Sequence, residues 1–230
     1  GSSSVFVVGL MNLFNNFKNK KIKRKKLAEN SIYFEQKILK EVVGSQDQIA
    51  AAFGGFNKII FNTGGGFKVH PISIKKEIIQ KLNKNLLLVF SGIDRNAYKM
   101  ASGYVNKFKK TKKSHILEIS NFVYEGEKAL IKGELNEFGK LLNETWIVKK
   151  SLSRTISNPI IDEIYDFAIQ NGALGGKLLG AGGGGFLLFY VPYSRQKNIL
   201  KHFRKLITVP FNFTKDGSAI MFKNVDNKII

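Results

Sequence analysis

Gly172 to Pro192 reads GALGGKLLGAGGGGFLLFYVP: two apolar runs flank positions 180–185, of which five are glycine and one is Ala181. Flexible linkers mix glycine with serine and lack strand formers at their edges. Here Leu178 and Leu179 on one side, and Phe186, Leu187, Leu188, Phe189, Tyr190 and Val191 on the other, press directly on the glycines. The stretch therefore predicts a β-hairpin with a structured glycine turn. A bulged tight turn needs only one or two glycines. Four in succession, Gly182 to Gly185, expose backbone at about 0.5 to 1 kcal/mol each relative to alanine, which points to a ligand that approaches closely. Converging backbone amides make an anion site, most often for phosphate.

Working outward, Leu86 to Phe90 is a continuous apolar strand, followed by helical stretches near Asn96 to Lys109 and from about Glu125 to Lys150. Asn158-Pro159 is an N-cap with proline at the first helical position, and Gly172 closes that helix. After the hairpin come a helix from about Arg195 to Leu206 and a last strand around Phe211 to Phe213. Strand, helices, strand, strand, helix, strand is the split βαβ, ferredoxin-like order. An α+β chain follows, with a domain boundary near Lys81 to Asn85 that separates residues 1–84 from 85–230.

The first part opens with Ser2, Ser3 and Ser4 ahead of the apolar helix Val5 to Phe14. Hydroxyls and free amides at a helix start are suited to phosphate, and serine hydroxyls also suit Mg²⁺; a plain N-cap needs only one serine. Leu27 to Lys40 reads as a second helix, in which Ala28, Ile32, Glu35 and Leu39 share one stripe. Glu35 is then either an inward carboxylate that needs a cation, or a residue at the stripe's margin that reaches water. Ser45 and Gln48 form a predicted capping box that places Asp47 in the first turn of a third helix, Ile49 to Phe53, closed by Gly54-Gly55. An acidic residue there commonly does no more than favour the helix dipole. Strands at Lys58 to Phe61 and Phe67 to Ile74, joined by Gly64-Gly65-Gly66, complete this part.

Composition limits the function classes. The 230 residues contain no cysteine, which excludes disulfides and thiolate metal sites, and His70, His115 and His202 are scattered. No run reaches the roughly 18 apolar residues of a membrane helix, so a soluble, cytoplasmic protein is expected. With 37 Lys+Arg against 17 Asp+Glu the net charge is +20. Seven of nine residues from Lys18 to Lys26 are basic, and five of seven from Lys107 to Lys113. These runs lack the interleaved aromatics of an RNA-binding sheet and read as solvated surface. Nucleic-acid binding stays as a minor alternative, and a field of this sign also attracts phosphorylated substrates.

Taken together, GSSS opening a helix, the acidic GSQDQ segment and GGKLLGAGGGGF near the C-terminus resemble the GHMP small-molecule kinases in kind and order. Within that family VVGSQDQIAAAFGGFN, LLLVFSGIDRNA, WIVKKSLS and GALGGKLLGAGGGGFLLF look most like the bacterial kinases of D-glycero-D-manno-heptose 7-phosphate. The resemblance spans residues 1–215. It implies a ribosomal-protein-S5-like N-terminal domain, here incomplete, followed by a ferredoxin-like C-terminal domain. It implies transfer of the γ-phosphoryl group of ATP, with Mg²⁺, to a hydroxyl of a phosphorylated heptose, probed against a galactose, fucose or mevalonate kinase as the alternative. Carried over residue by residue, Gly1, Ser2, Ser3 and Ser4 are the phosphate loop, with Ser3 and Glu35 as metal contacts. Asp47 is the catalytic base, and Gly180, Ala181, Gly182, Gly183 and Gly184 lie against the nucleotide. Family members carry further motifs ahead of the phosphate loop, so the chain reads as N-terminally truncated, which puts the activity of a polypeptide starting at Gly1 in question.

Overall fold

A computed structural model of the chain describes residues 1–93, 113–180 and 182–221. It divides into two compact units, one of residues 1–72 with 213–230 and one of residues 73–212. Compactness thus separates the chain between Ile72 and Ser73, ahead of the expected 84/85 division. It also returns the residues after Asn212 to the first unit.

The first unit begins with α1 (Ser2–Phe17), capped by Gly1. The three serines lie inside the helix and do not precede it as N-caps, because the Gly1 carbonyl already accepts the first helical bond, from Val5 N. α2 (Arg24–Tyr33) runs directly into a π-helical turn, Phe34–Ile38. The expected single helix over Leu27 to Lys40 therefore ends in a wider turn, and the extra residue rotates the stripe. Ala28 and Glu35 stay buried, whereas Leu39 is 49% exposed. α3 (Gln46–Phe53) follows, then the antiparallel pair β1 (Asn57–Phe61) and β2 (Phe67–Pro71). Val8, Leu27, Ala28, Ile49, Ala52 and Phe67 form this unit's core. Residues 213–218 close it: Gly55 N donates to Thr214 O, Ser218 N to Ala51 O, and Asn12 Nδ2 to Ser218 O, while Phe56 packs on Phe213 with ring centroids 4.6 Å apart.

The second unit holds α4 (Lys76–Lys84), β3 (Leu86–Phe90), α5 (Lys113–Lys132), α6 (Leu135–Ser151), α7 (Pro159–Gln170), β4 (Gly175–Leu178), β5 (Phe186–Tyr190) and α8 (Gln196–His202). The expected helix near Asn96 to Lys109 lies outside the described residues, as does most of the Lys107 to Lys113 run. The long helix expected from Glu125 to Lys150 is two helices. Gly133 N donates to Leu130 O and Glu134 N to Ala129 O, the paired bonds of a Schellman stop, with Gly133 at φ +77°. α7 starts as expected, with Asn158 Oδ1 accepting from Ile161 N and proline at its first position.

The sheet is antiparallel in the order β3-β5-β4, with Leu86 opposite Tyr190 and Gly175 opposite the same tyrosine. The last strand sits earlier than Phe211 to Phe213. A short bridge pairs Thr208 with Val89, flanked by Phe90 N to Ile207 O and Val209 N to Leu88 O. The resulting order, 207–209, β3, β5, β4, is the ferredoxin-like arrangement. Burial alternates along β5, where Leu187 and Phe189 join Val89, Trp146, Ile161, Leu178, Ile199 and Phe203 in the core. Tyr165, packed at a tilt between Trp146 and Phe189, directs its hydroxyl at Asn143 Oδ1 and Gly176 O. Burial pushes that hydroxyl's pKa far above the usual tyrosine range, so it remains a donor. No helix among the described residues is long and apolar enough to cross a membrane.

Candidate functional site

In the first unit the start of α1 meets both acidic side chains singled out in the sequence. Ser4, 5% exposed, donates its hydroxyl to Glu35 Oε1 over 3.0 Å, and Glu35 is itself only 2% exposed. The other carboxylate oxygen accepts from Gln48 Nε2. Asp47 lies next to Gln48 in the first turn of α3, its side chain 44% exposed. Its Oδ2 is 3.5 Å from the Gly1 nitrogen. A Cβ on Gly1 would come within 2.8 Å of that oxygen, so a larger residue there would make the carboxylate shift.

Of the serines, Ser4 makes the contact with Glu35, while Ser2 and Ser3 stand exposed at the first turn. Helix geometry leaves the amides of this turn without intrahelical partners, and no side chain caps them. The arrangement is a helix start rich in donors, with the Glu35 and Asp47 carboxylates beside it.

Glu35 has an unusual set of partners. A buried carboxylate is costly unless a positive charge offsets it, yet Ser4 and Gln48 are both neutral. Among the described residues no ion pair to Glu35 occurs. A hard cation held by oxygen donors fits this pattern, since a serine hydroxyl and a carboxylate are the ligand types Mg²⁺ takes alongside phosphate oxygens.

Two features of this corner differ from the sequence reading. The capping box does not form: Ser45 sits at φ −104° and ψ −2°, outside the extended region an N-cap uses, and makes no side-chain cap. Ser45 Oγ instead accepts from Gln36 Nε2 at 3.1 Å, and Gln36 also reaches Val43 O at 3.0 Å. Gln48, read as a capping partner, turns its side chain inward to Glu35. Gln36 did not stand out in the sequence, and Gln48 did so only as a capping partner of Ser45, because the π turn that aligns Glu35 and Gln36 with α3 has no period to read.

The glycine loop belongs to the second unit. It joins β4 to β5 and is pinned by the segment between α6 and α7: Gly183 N donates to Ile156 O over 3.1 Å, and Asn158 Nδ2 to Gly183 O. On its other side Gly185 N donates to Ile93 O. At Gly182 φ is +119° and a Cβ would lie 2.9 Å from Ile156 Cα, so both conformation and space demand glycine. Part of the glycine run is therefore explained by packing. The Gly183 amide, expected to face phosphate, is turned to protein in this conformation. Ala181 lies outside the described residues. Lys149 Nζ donates to Gly180 O over 2.9 Å, which brings a cation to the loop's edge that the sequence reading did not single out.

An α+β chain of this order, with hydroxyls and carboxylates gathered at a helix start, matches two family models. They are the GHMP kinases N terminal domain over residues 1–55 and the GHMP kinases C terminal over residues 127–207. The chain belongs to the GHMP kinase family.

It is 33% identical over 220 residues to D-glycero-alpha-D-manno-heptose 7-phosphate kinase of Campylobacter jejuni, an alignment covering 94% of this chain and 65% of that protein. A crystal structure of a D-glycero-D-manno-heptose 1-phosphate kinase from Bacteroides thetaiotaomicron superposes with a TM-score of 0.72 at 27% identity, over 94% of this chain and 60% of that one. The mevalonate kinase of Methanocaldococcus jannaschii is 29% identical over 206 residues, 89% of this chain and 61% of that protein. The chain thus spans just under two thirds of the length of these relatives.

Proposed function

We propose that this protein is an ATP-dependent sugar kinase that transfers the γ-phosphoryl group to D-glycero-D-manno-heptose 7-phosphate, at its anomeric hydroxyl. The observation that carries the reading is the meeting of Ser4 with Glu35, and of Gly1 with Asp47, at one helix start. Identity to the Campylobacter heptose 7-phosphate kinase along 94% of the chain favours this sugar over others.

In phosphoryl transfer the protein chiefly positions groups and stabilises charge. Bound Mg²⁺ would supply charge neutralisation between the phosphates of ATP. On this reading Ser3 and Glu35 hold the metal, and Ser4 fixes the Glu35 carboxylate. The amides of Ser2, Ser3 and Ser4, at the positive end of the α1 dipole, hold phosphate oxygens. Asp47 accepts the proton of the attacking sugar hydroxyl. Gly180 to Gly184 form the loop that borders the nucleotide. By sequence, residues 1–84 are assigned to the ATP-binding domain and 85–230 to the C-terminal domain, a division that differs from the compact units, which part at 72/73 and 212/213. The +20 charge of the chain raises the local concentration of both phosphorylated substrates.

Two measurements test this. Assayed with ATP against heptose 7-phosphate, galactose, fucose and mevalonate, the full-length protein should favour the heptose by at least about 100-fold in kcat/KM, the discrimination that recognition of a substrate's polar groups allows. Because the Methanocaldococcus relative is a mevalonate kinase, preference for mevalonate is the outcome that would replace the heptose reading. Separately, Glu35→Gln should raise the Mg²⁺ concentration for half-maximal activity by roughly tenfold or more. An unchanged Mg²⁺ titration removes Glu35 from the metal site.

A further inference from the structure

Gln48 is fully buried, yet only half of its carboxamide is satisfied. Nε2 donates to Glu35 Oε2, while Oε1 has no hydrogen-bond partner among the described residues. An unpaired buried carbonyl oxygen is a cost that an apolar side chain of the same length avoids. Packing alone therefore does not explain a glutamine here.

The donor's chemistry does. A lysine or arginine at this position would hold Glu35 equally well but would cancel its charge, and with it the pull on a cation. A carboxamide fixes the carboxylate and leaves the charge available. The same corner is tied a second time by Gln36, whose Nε2 bonds Ser45 Oγ and Val43 O just ahead of α3. Glu35 and Gln36 are consecutive on the π turn, so one short segment is latched to α3 at two points. Gln48 is adjacent in sequence to Asp47, which makes the Glu35 carboxylate and the Asp47 helix one rigid piece.

We infer that Gln48 is a positioning residue of the kinase, orienting the Glu35 carboxylate toward the metal and setting it in register with Asp47. The inference rests on the reading of Glu35 as a metal contact. Partners that orient a ligating carboxylate typically alter metal affinity by about 10- to 100-fold when removed.

The test is a Mn²⁺ titration of the full-length protein, followed by electron paramagnetic resonance with a non-hydrolysable ATP analogue present. It compares wild type, Gln48→Met, Glu35→Gln and the double variant. Gln48→Met should weaken Mn²⁺ binding at least about tenfold, melt at or above the wild-type temperature, and add no further loss on top of Glu35→Gln. Four results overturn the proposal, the last of them from a second variant. If Glu35→Gln weakens Mn²⁺ and Gln48→Met stays within twofold of wild type, Gln48 does not position the ligand. If the two losses multiply in the double variant, Gln48 acts other than through Glu35. If Glu35→Gln itself leaves Mn²⁺ binding unchanged, the metal reading of Glu35 fails first, and this proposal with it. Should Gln48→Met fold poorly, Gln48→Asn keeps a carboxamide one methylene short of Glu35 and is expected to show the same loss. A Gln48→Asn variant that binds Mn²⁺ as wild type does is equally fatal.

Discussion

Asp47→Asn is expected to lower kcat by at least about 100-fold while leaving the affinity for ATP within about twofold. Asparagine has nearly the same shape, so the first turn of α3 persists. What is lost is the charge and the ability to accept a proton. An interaction made only in the transition state reduces kcat without changing ground-state binding, and a positioned general base is such an interaction. Asp47 is half-exposed, which suits its proposed role of reaching a substrate hydroxyl. Steady-state kinetics with the preferred sugar, together with nucleotide binding measured by calorimetry, decide the matter. A kcat within threefold of wild type takes Asp47 out of the chemistry. An equal loss of ATP affinity would make its role one of nucleotide binding.

Gly175→Ala is expected to destabilise the second unit by about 3 kcal/mol, at the upper end of what added methyl groups cost in packed interiors. On β4 the backbone of Gly175 touches α6 without a side chain between them. A Cβ there would lie 2.0 Å from Gly139 O and 2.6 Å from Asn143 N. Neither is the movable end of a side chain, so helix and strand would have to separate. Gly139 faces the same constraint from the helix side, with its Cβ position 2.5 Å from the Tyr190 ring. Parting α6 from the sheet would also disturb the Tyr165 bonds to Asn143 and Gly176. Thermal unfolding should show a fall of roughly 10 °C, by the usual relation between stability and melting temperature for a domain of this size. Gly64→Ala serves as the control, because no atom lies within 4 Å of its Cβ position, and it should melt within about 1 °C of wild type. Equal melting of the two variants would show that the α6–β4 contact yields easily.

Much of the second unit was legible from local chemistry. Asn158-Pro159 marked the start of α7, and the apolar runs on either side of the glycines marked β4 and β5 as a pair. These signals are short-range, and nothing distant competes with them. Gly133 carried an equally local signal, a glycine after a basic last turn, but the apolar spacing continues across it and hides the break between α5 and α6. The final strand moved for a different reason. Thr208 bridges to Val89, while one of the later phenylalanines, Phe213, packs against Phe56 in the first unit.

At the candidate site the two carboxylates were visible and their partners were not. Glu35 was placed inward by helical spacing, and it is inward, but a π turn holds it there while Leu39, on the same predicted stripe, is exposed. Ser45 and Gln48 have the residue types of a capping box and use them elsewhere, because a buried carboxylate 13 positions away in sequence competes for the same amide. Long-range electrostatics of this kind has no periodicity. The glycine loop shows the opposite case: residues that looked functional in the sequence are in part demanded by the close approach of Ile156 and Ile93.

Residues 213–218 bond to the carbonyls and amides at the end of α3 and to Asn12 of α1, so the first unit is sealed by residues that follow the whole second unit in the chain. Residues 73–212 can collapse on their own sheet while synthesis is still under way. The serine-bearing helix start, by contrast, gains its final support only after the second unit has been made. Nascent chains would therefore carry a finished glycine loop before a fully closed first unit, and a chain cut after Asn212 would lose that closure without losing any residue of the candidate site.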